Sequence, residues 1–89
     1  MKIKLELFGA SRDFSDKDHL EIEIEDKASV DDLRNEIIKY LDKNFKSNEN
    51  FIKVVRSSAF CSENNEIISD NYKITKDQKI GIIPPIGGG

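Results

Sequence analysis

The sequence predicts a small α+β domain, with one main helix lying on one face of a mixed sheet. Three observations predict it. Two N-terminal segments alternate apolar and charged residues with the period of a strand. A capped segment with apolar residues every three or four positions follows them. The second half returns to short apolar runs separated by polar turns. With 89 residues, 37% of them apolar, the chain can build one compact core but not a large substrate pocket.

Each element has its own justification. Ile3, Leu5 and Leu7 alternate with Lys2, Lys4 and Glu6, which is a half-buried strand and not a signal peptide. Leu20, Ile22 and Ile24 alternate with Glu21, Glu23 and Glu25 in the same way. The polar stretch from Gly9 to Asp18 is read as the turn region of a hairpin, with lysines of one strand facing glutamates of the other. Ser29 is a helix N-cap, Asp31 and Asp32 suit the first turn, and Ser29-x-x-Asp32 resembles a capping box. Val30, Leu33, Ile37, Leu41 and Phe45 form the apolar stripe of that helix, and Lys43 and Lys46 suit its C-terminal end. After a loop at Ser47-Asn48-Glu49-Asn50, strands are expected from Ile52 to Phe60, around Glu66 to Ile68, and from Lys79 to Ile83, with turns at Asn64-Asn65 and Asp77-Gln78. The resulting β-β-α-β-β-β order is that of a β-grasp, ubiquitin-like roll.

Composition limits the function. The net charge is −3, from 17 acidic and 14 basic residues, and no basic patch interleaved with aromatics suggests a nucleic-acid partner. A mildly acidic carrier docking on basic partners fits this balance. No run approaches the ~20 apolar residues of a membrane span. The single cysteine, Cys61, allows no internal disulfide and no multi-cysteine metal or iron–sulfur site, and a cytoplasmic protein is expected. Cys61 has no Cys-His arrangement around it and reads as a small core residue; His19, alone of its kind, reads as a surface residue. Asp31, Asp32 and Glu36 share one helix but suit capping and solvation. No metal site is predicted, and the phosphate-cradling and zinc-protease motifs are absent.

The chain closes on Pro84-Pro85-Ile86-Gly87-Gly88-Gly89. Glycines without side chains form a thin strip of backbone that can enter a narrow slot in another protein, and the rigid prolines hold it clear of the body. The expected division is a globular domain over residues 1–85 and a flexible glycine-rich tail over 86–89. From Gly87 to Gly89 the extended reach is on the order of 10 Å, at ~3.3–3.6 Å per residue. A carboxylate at the tip becomes reactive once joined to AMP as a mixed anhydride. Sulfide or persulfide attack then gives a thiocarboxylate, and amine attack gives an amide.

Two segments carry a family resemblance. Leu7-Phe8-Gly9-Ala10-Ser11-Arg12-Asp13 is similar to a strand-end aromatic followed by arginine and an acid. The run from Ile74 to Gly89 ends in apolar-Pro-Pro-apolar-x-Gly-Gly after a final strand. Together they resemble the MoaD/ThiS sulfur carriers, among them the small subunit of molybdopterin synthase, over essentially the whole chain. Asp77-Gln78 stands where many relatives have Gly-Asp, and the Cys61 to Lys73 loop is long and polar. The resemblance implies a β-grasp fold and activation by a MoeB-like adenylating enzyme that uses ATP and magnesium, with no cofactor held by this chain. It implies a thiocarboxylate at Gly89 and delivery of sulfur to a pyranopterin precursor inside a MoaE-like large synthase subunit, the chain not being catalytic alone. Gly88 and Gly89 match the double glycine, with Gly87 before it. Phe8, Phe60 and Ile83, with Pro84, Pro85 and Ile86, fall at partner-facing positions, and Arg12 matches an arginine with a structural role. Other readings of the same tail are a ubiquitin-like modifier joined to lysines, a thiamine-pathway carrier, and a binding module with an inert tail.

Overall fold

Strand β1 (Lys2–Leu7) and strand β2 (His19–Glu23) pair antiparallel, with Lys2 opposite Glu23, Lys4 opposite Glu21 and Leu5 opposite Leu20. This is the hairpin the alternation predicts. The computed structural model describes residues 1–46 and 48–85. Ser47 and the expected tail of residues 86–89 lie outside the described residues. The connection between β1 and β2 is more ordered than a polar turn: Gly9–Phe14 form a 3-10 helix that drives Phe14 fully into the core.

Helix α1 (Val30–Phe45) begins at the predicted capping box. The Ser29 hydroxyl accepts from the Asp32 N–H at 3.1 Å, and the Asp32 carboxylate accepts from the Ser29 N–H at 2.9 Å. The N–H groups of Val30 and Asp31 donate to the carbonyls of Tyr72 and Asp70 at 3.0 and 2.9 Å. The polar loop after residue 61 thus satisfies donors that a helix start would otherwise leave open. Val30, Leu33, Ile37 and Leu41 are fully buried, as the stripe predicts, and Phe45 packs at its edge. Lys46 closes the helix in the left-handed region at φ 52°.

The next segment corrects the expectation of a strand from Ile52 to Phe60. Residues Glu49–Ser57 form a second helix, α2, and only Ala59–Cys61 form strand β3. The Asn48 side chain caps α2 by accepting from the N–H groups of Asn50 and Phe51 at 3.0 and 3.2 Å. Phe51, Val54 and Val55 then face inward at helical spacing, and Phe51 stacks near Phe14 and Phe45 with centroids 5.1 and 5.0 Å away. The β-branched content of Ile52-x-Val54-Val55 favours a strand locally, but the cap and this aromatic cluster override it. Arg34 of α1 fixes the end of α2. Its guanidinium donates to the carbonyls of Val55 at 2.6 Å, Arg56 at 3.3 Å and Ser58 at 2.9 Å, and to the Asp70 carboxylate at 2.6 Å.

Strand β4 (Ile67–Ile68) and strand β5 (Gln78–Ile83) complete a five-stranded sheet in the order β2-β1-β5-β3-β4. Central β1 and β5 run parallel, and every other pair is antiparallel. Ile3, Leu5, Leu7, Ile80 and Ile82 join the α1 stripe in one core. The sheet therefore has an inner face under the helices and an outer face open to solvent.

Candidate functional site

Alternation along β5 sends Ile80 and Ile82 into the core and places Lys79, Gly81 and Ile83 on the outer face. Pairing sets Glu6 and Cys61 on either side of Gly81, Ala59 beside Ile83, and Ile67 beside Cys61. Gly81 and Ile83 with Ala59, Cys61 and Ile67 form an apolar area on the outer face near the end of β5. Phe8 leaves β1 just beyond its last residue and lays its ring over Gly81. A Cβ at residue 81 would stand 2.9 Å from Phe8 Cε2 and 2.8 Å from Cys61 Sγ. Only glycine lets the ring lie flat there.

The backbone of Phe8 is held by Ser11, which is fully buried. Its hydroxyl donates to the Phe8 carbonyl at 2.6 Å and accepts from the Phe8 N–H at 2.9 Å. Phe8 remains 44% exposed, and Ile67 is 66% exposed. Two large apolar side chains, one just past the end of β1 and one on β4, both open to water, are suited to burial against a partner. Toward β2 the same face turns charged: Lys79 pairs with Glu6 at 3.1 Å, with Lys2, Lys4, Glu21 and Glu23 beyond.

The predicted site residues divide. Phe8 and Ile83 share the outer face, Ile83 half-buried. Phe60 does not join them: it is 1% exposed, pairs with Ile82 on the inner side of the sheet, and carries the Arg34 guanidinium 4.9 Å above its ring. Its place is the core. Pro84 is also buried, its ring against Gly9, which takes φ +55°. It anchors the chain to the body beside Phe8, while Pro85 is exposed. Arg12 is exposed, on the 3-10 helix that follows Phe8. Ile86, Gly87, Gly88 and Gly89 lie outside the described residues. Ile67, Gly81 and Ser11 were not singled out by the sequence. The apolar residue inside the polar Asn64 to Ser69 stretch and the glycine interrupting an otherwise apolar last strand were the available signals.

The other candidates stay away from this face or lack reactive company. Cys61 is free and buried, 8% exposed. His19 hydrogen-bonds Asp18 at 3.0 Å, which holds the Asp18 carboxyl below its ordinary value of 3.8. No group of three or more His, Cys, Asp or Glu side chains among the described residues is placed to hold a metal ion. No helix among them is long and apolar enough to cross a membrane.

The central parallel strand pair, the long helix across the inner face and the chain leaving from β5 define a ubiquitin-like β-grasp protein. The chain belongs to the ThiS family, whose model matches residues 5–89, and is thus a sulfur carrier of the MoaD/ThiS kind. It is similar to a candidate molybdopterin converting factor subunit 1 from Pyrococcus furiosus, at 26% identity and a TM-score of 0.69 over 96% of this chain and 98% of that one. SAMP1 from Haloferax volcanii shares the fold, with a TM-score of 0.68 and 13% identity over 100% of both chains. None of the curated proteins is significantly similar in sequence.

Proposed function

We propose that this chain is the sulfur-carrying small subunit of a molybdopterin synthase, acting in the cytoplasm and loaded at Gly89. The observation that carries the proposal is a solvent-open Phe8 lying over Gly81 of the last strand, with the next residue, Gly9, against Pro84, two residues before the Ile86-Gly87-Gly88-Gly89 segment. Docking through the outer face would hold the body against a partner while residues beyond Pro85 reach a reactive centre inside it. Likeness to the Pyrococcus protein named as a converting factor subunit favours the synthase assignment within the family.

The chemistry follows from the carboxylate. A MoeB-like enzyme with ATP and magnesium joins the Gly89 carboxylate to AMP and releases pyrophosphate. Hydrosulfide attack on the acyl carbon expels AMP and leaves a thiocarboxylate. A MoaE-like subunit then accepts the tail, the thiocarboxylate sulfur bonds to a pyranopterin carbon, and water cleaves the acyl–sulfur bond, leaving the sulfur on the pterin and regenerating the Gly89 carboxylate. A carrier joined to lysines, or one serving thiamine synthesis, would share the adenylation step and differ in the acceptor.

ATP–pyrophosphate exchange with the activating enzyme tests the proposal. Removing Gly89 shortens the reach by ~3.3–3.6 Å, more than an adenylation site absorbs when reacting atoms must come within about 3–3.5 Å. Exchange should be lost while docking persists. Normal exchange by the deletion would refute the assignment of Gly89. Lysine conjugates in cells, without sulfur transfer to a pterin, would replace the synthase role by that of a modifier.

A further inference from the structure

We infer a second interaction surface, at the opposite edge of the sheet, that takes an extended segment alternating basic and apolar residues from a protein partner. A groove of about 900 Å³ runs between the end of β2 with its following turn and one side of α1. Ile24, Ala28 and Ile38 give it an apolar floor, with Ile38 packed only partly against the core. Glu23, Glu25, Asp26, Asp32 and Glu36 rim it, against Lys27 and Lys39, and Lys39 is already paired with Glu36 at 3.1 Å. The groove is strongly acidic.

Beside it the sheet has a free edge. β2 is the outermost strand. Met1 and Ile24 exchange backbone hydrogen bonds at 2.7 and 2.9 Å, and Leu7 N–H donates to Asp18 at 3.0 Å. By the alternation of an antiparallel ladder, Leu20, Ile22 and Ile24 turn their N–H and C=O groups toward β1. Those of Glu21 and Glu23 therefore point outward, with no partner among the described residues. An added antiparallel strand would extend the ladder at these two residues.

The chemistry of the occupant can be read from this geometry. Residues opposite Glu21 and Glu23 would share their face and meet carboxylates, so lysine or arginine is favoured there. The intervening residues would point toward α1 and enter the groove over Ile38, so they should be apolar. A second copy of this chain fits poorly, because its own β2 edge would set Glu21 and Glu23 against like charges. This edge is separated from the Phe8 face by β1, and its occupancy does not depend on the sulfur-carrier reading.

The probe is the peptide acetyl-(Lys-Val)3-Lys-amide titrated into the full-length protein, with affinity from isothermal titration calorimetry and amide exchange followed by NMR. Saturable binding with new protection of the Glu21 and Glu23 amides is expected. The double variant Glu23→Lys, Glu36→Lys should bind at least tenfold more weakly while keeping the wild-type amide spectrum away from the groove. N-methylation of the lysines, which keeps their charge but removes the N–H groups facing β2, should weaken binding equally, and N-methylation of the valines should not. Equal affinity for the lysine-methylated peptide would reduce the effect to unspecific charge attraction and overturn the inference, as would the lack of saturable binding. A dimer in ultracentrifugation whose Glu21 and Glu23 amides are protected without peptide would overturn it in favour of a second copy.

Discussion

Replacing Gly81 by alanine separates docking from folding. The new Cβ would stand 2.8 Å from Cys61 Sγ and 2.9 and 3.6 Å from Phe8 Cε2 and Cδ2. Two of these separations are too short, so something must move. Cys61 is buried, whereas Phe8 is 44% exposed, so its ring has room to yield outward. Overpacking costs about 1–3 kcal/mol, and a side chain that yields into solvent puts the cost at the low end. Loss of the glycine also restricts the unfolded chain, a gain of about 0.4–1 kcal/mol. The net loss should be about 1 kcal/mol or less, seen as a melting shift of no more than roughly 4–8 °C. Docking should suffer more, because an aromatic anchor commonly carries ~2 kcal/mol or more, about thirtyfold in affinity. Urea denaturation and calorimetric titration with the adenylating enzyme give the two numbers. Wild-type affinity with the Phe8 ring displaced would refute the role given to Phe8.

The remaining predictions concern the core, the pinned helix and acid stability. Phe8→Glu should abolish docking in the same titration and leave the unfolding midpoint nearly unchanged, whereas Phe60→Ala should cost about 3–5 kcal/mol of stability. Arg34→Ala should destabilise by about 3 kcal/mol, since hydrogen bonds to a charged group contribute roughly 1.5–3 kcal/mol and the carbonyls at the end of α2 lose their donor; urea unfolding measures it. The Ser29 N–H holds the Asp32 carboxyl below its ordinary value of 3.8. Because its folded pKa is depressed, its stabilising contribution is present above the unfolded value and is lost as pH falls through the folded one. The difference in melting temperature between wild type and Asp32→Asn should therefore shrink toward acid pH.

The sequence was most readable where local chemistry and tertiary packing agree. The β1/β2 alternation, the Ser29 capping box and the Val30 to Leu41 stripe all recur in the structure with the expected residues buried. It misled where they conflict. Ile52, Val54 and Val55 have strand-forming side chains, but Asn48 starts a helix there and Phe51 completes a cluster with Phe14 and Phe45. Phe60 is placed at a partner-facing position by the resemblance alone, and its pairing with Ile82 puts it on the inner side, since a strand's face depends on register by single residues. Phe8 is legible through the resemblance, as the aromatic that follows a clear strand. Its support by Gly81 depends on which residue lies across the sheet from it, and its support by Ser11 on the 3-10 turn after β1, neither of which the strand alternation reveals.

Intact-mass measurement tests the central claim most directly. The full-length protein is incubated with a MoeB-like enzyme, ATP, magnesium and a sulfide source, and its mass is followed beside that of the Gly89 deletion. The account predicts an exchange of oxygen for sulfur localised to Gly89, dependent on ATP and absent from the deletion. An unchanged mass for the wild-type chain, or sulfur found on Cys61 instead, would contradict it.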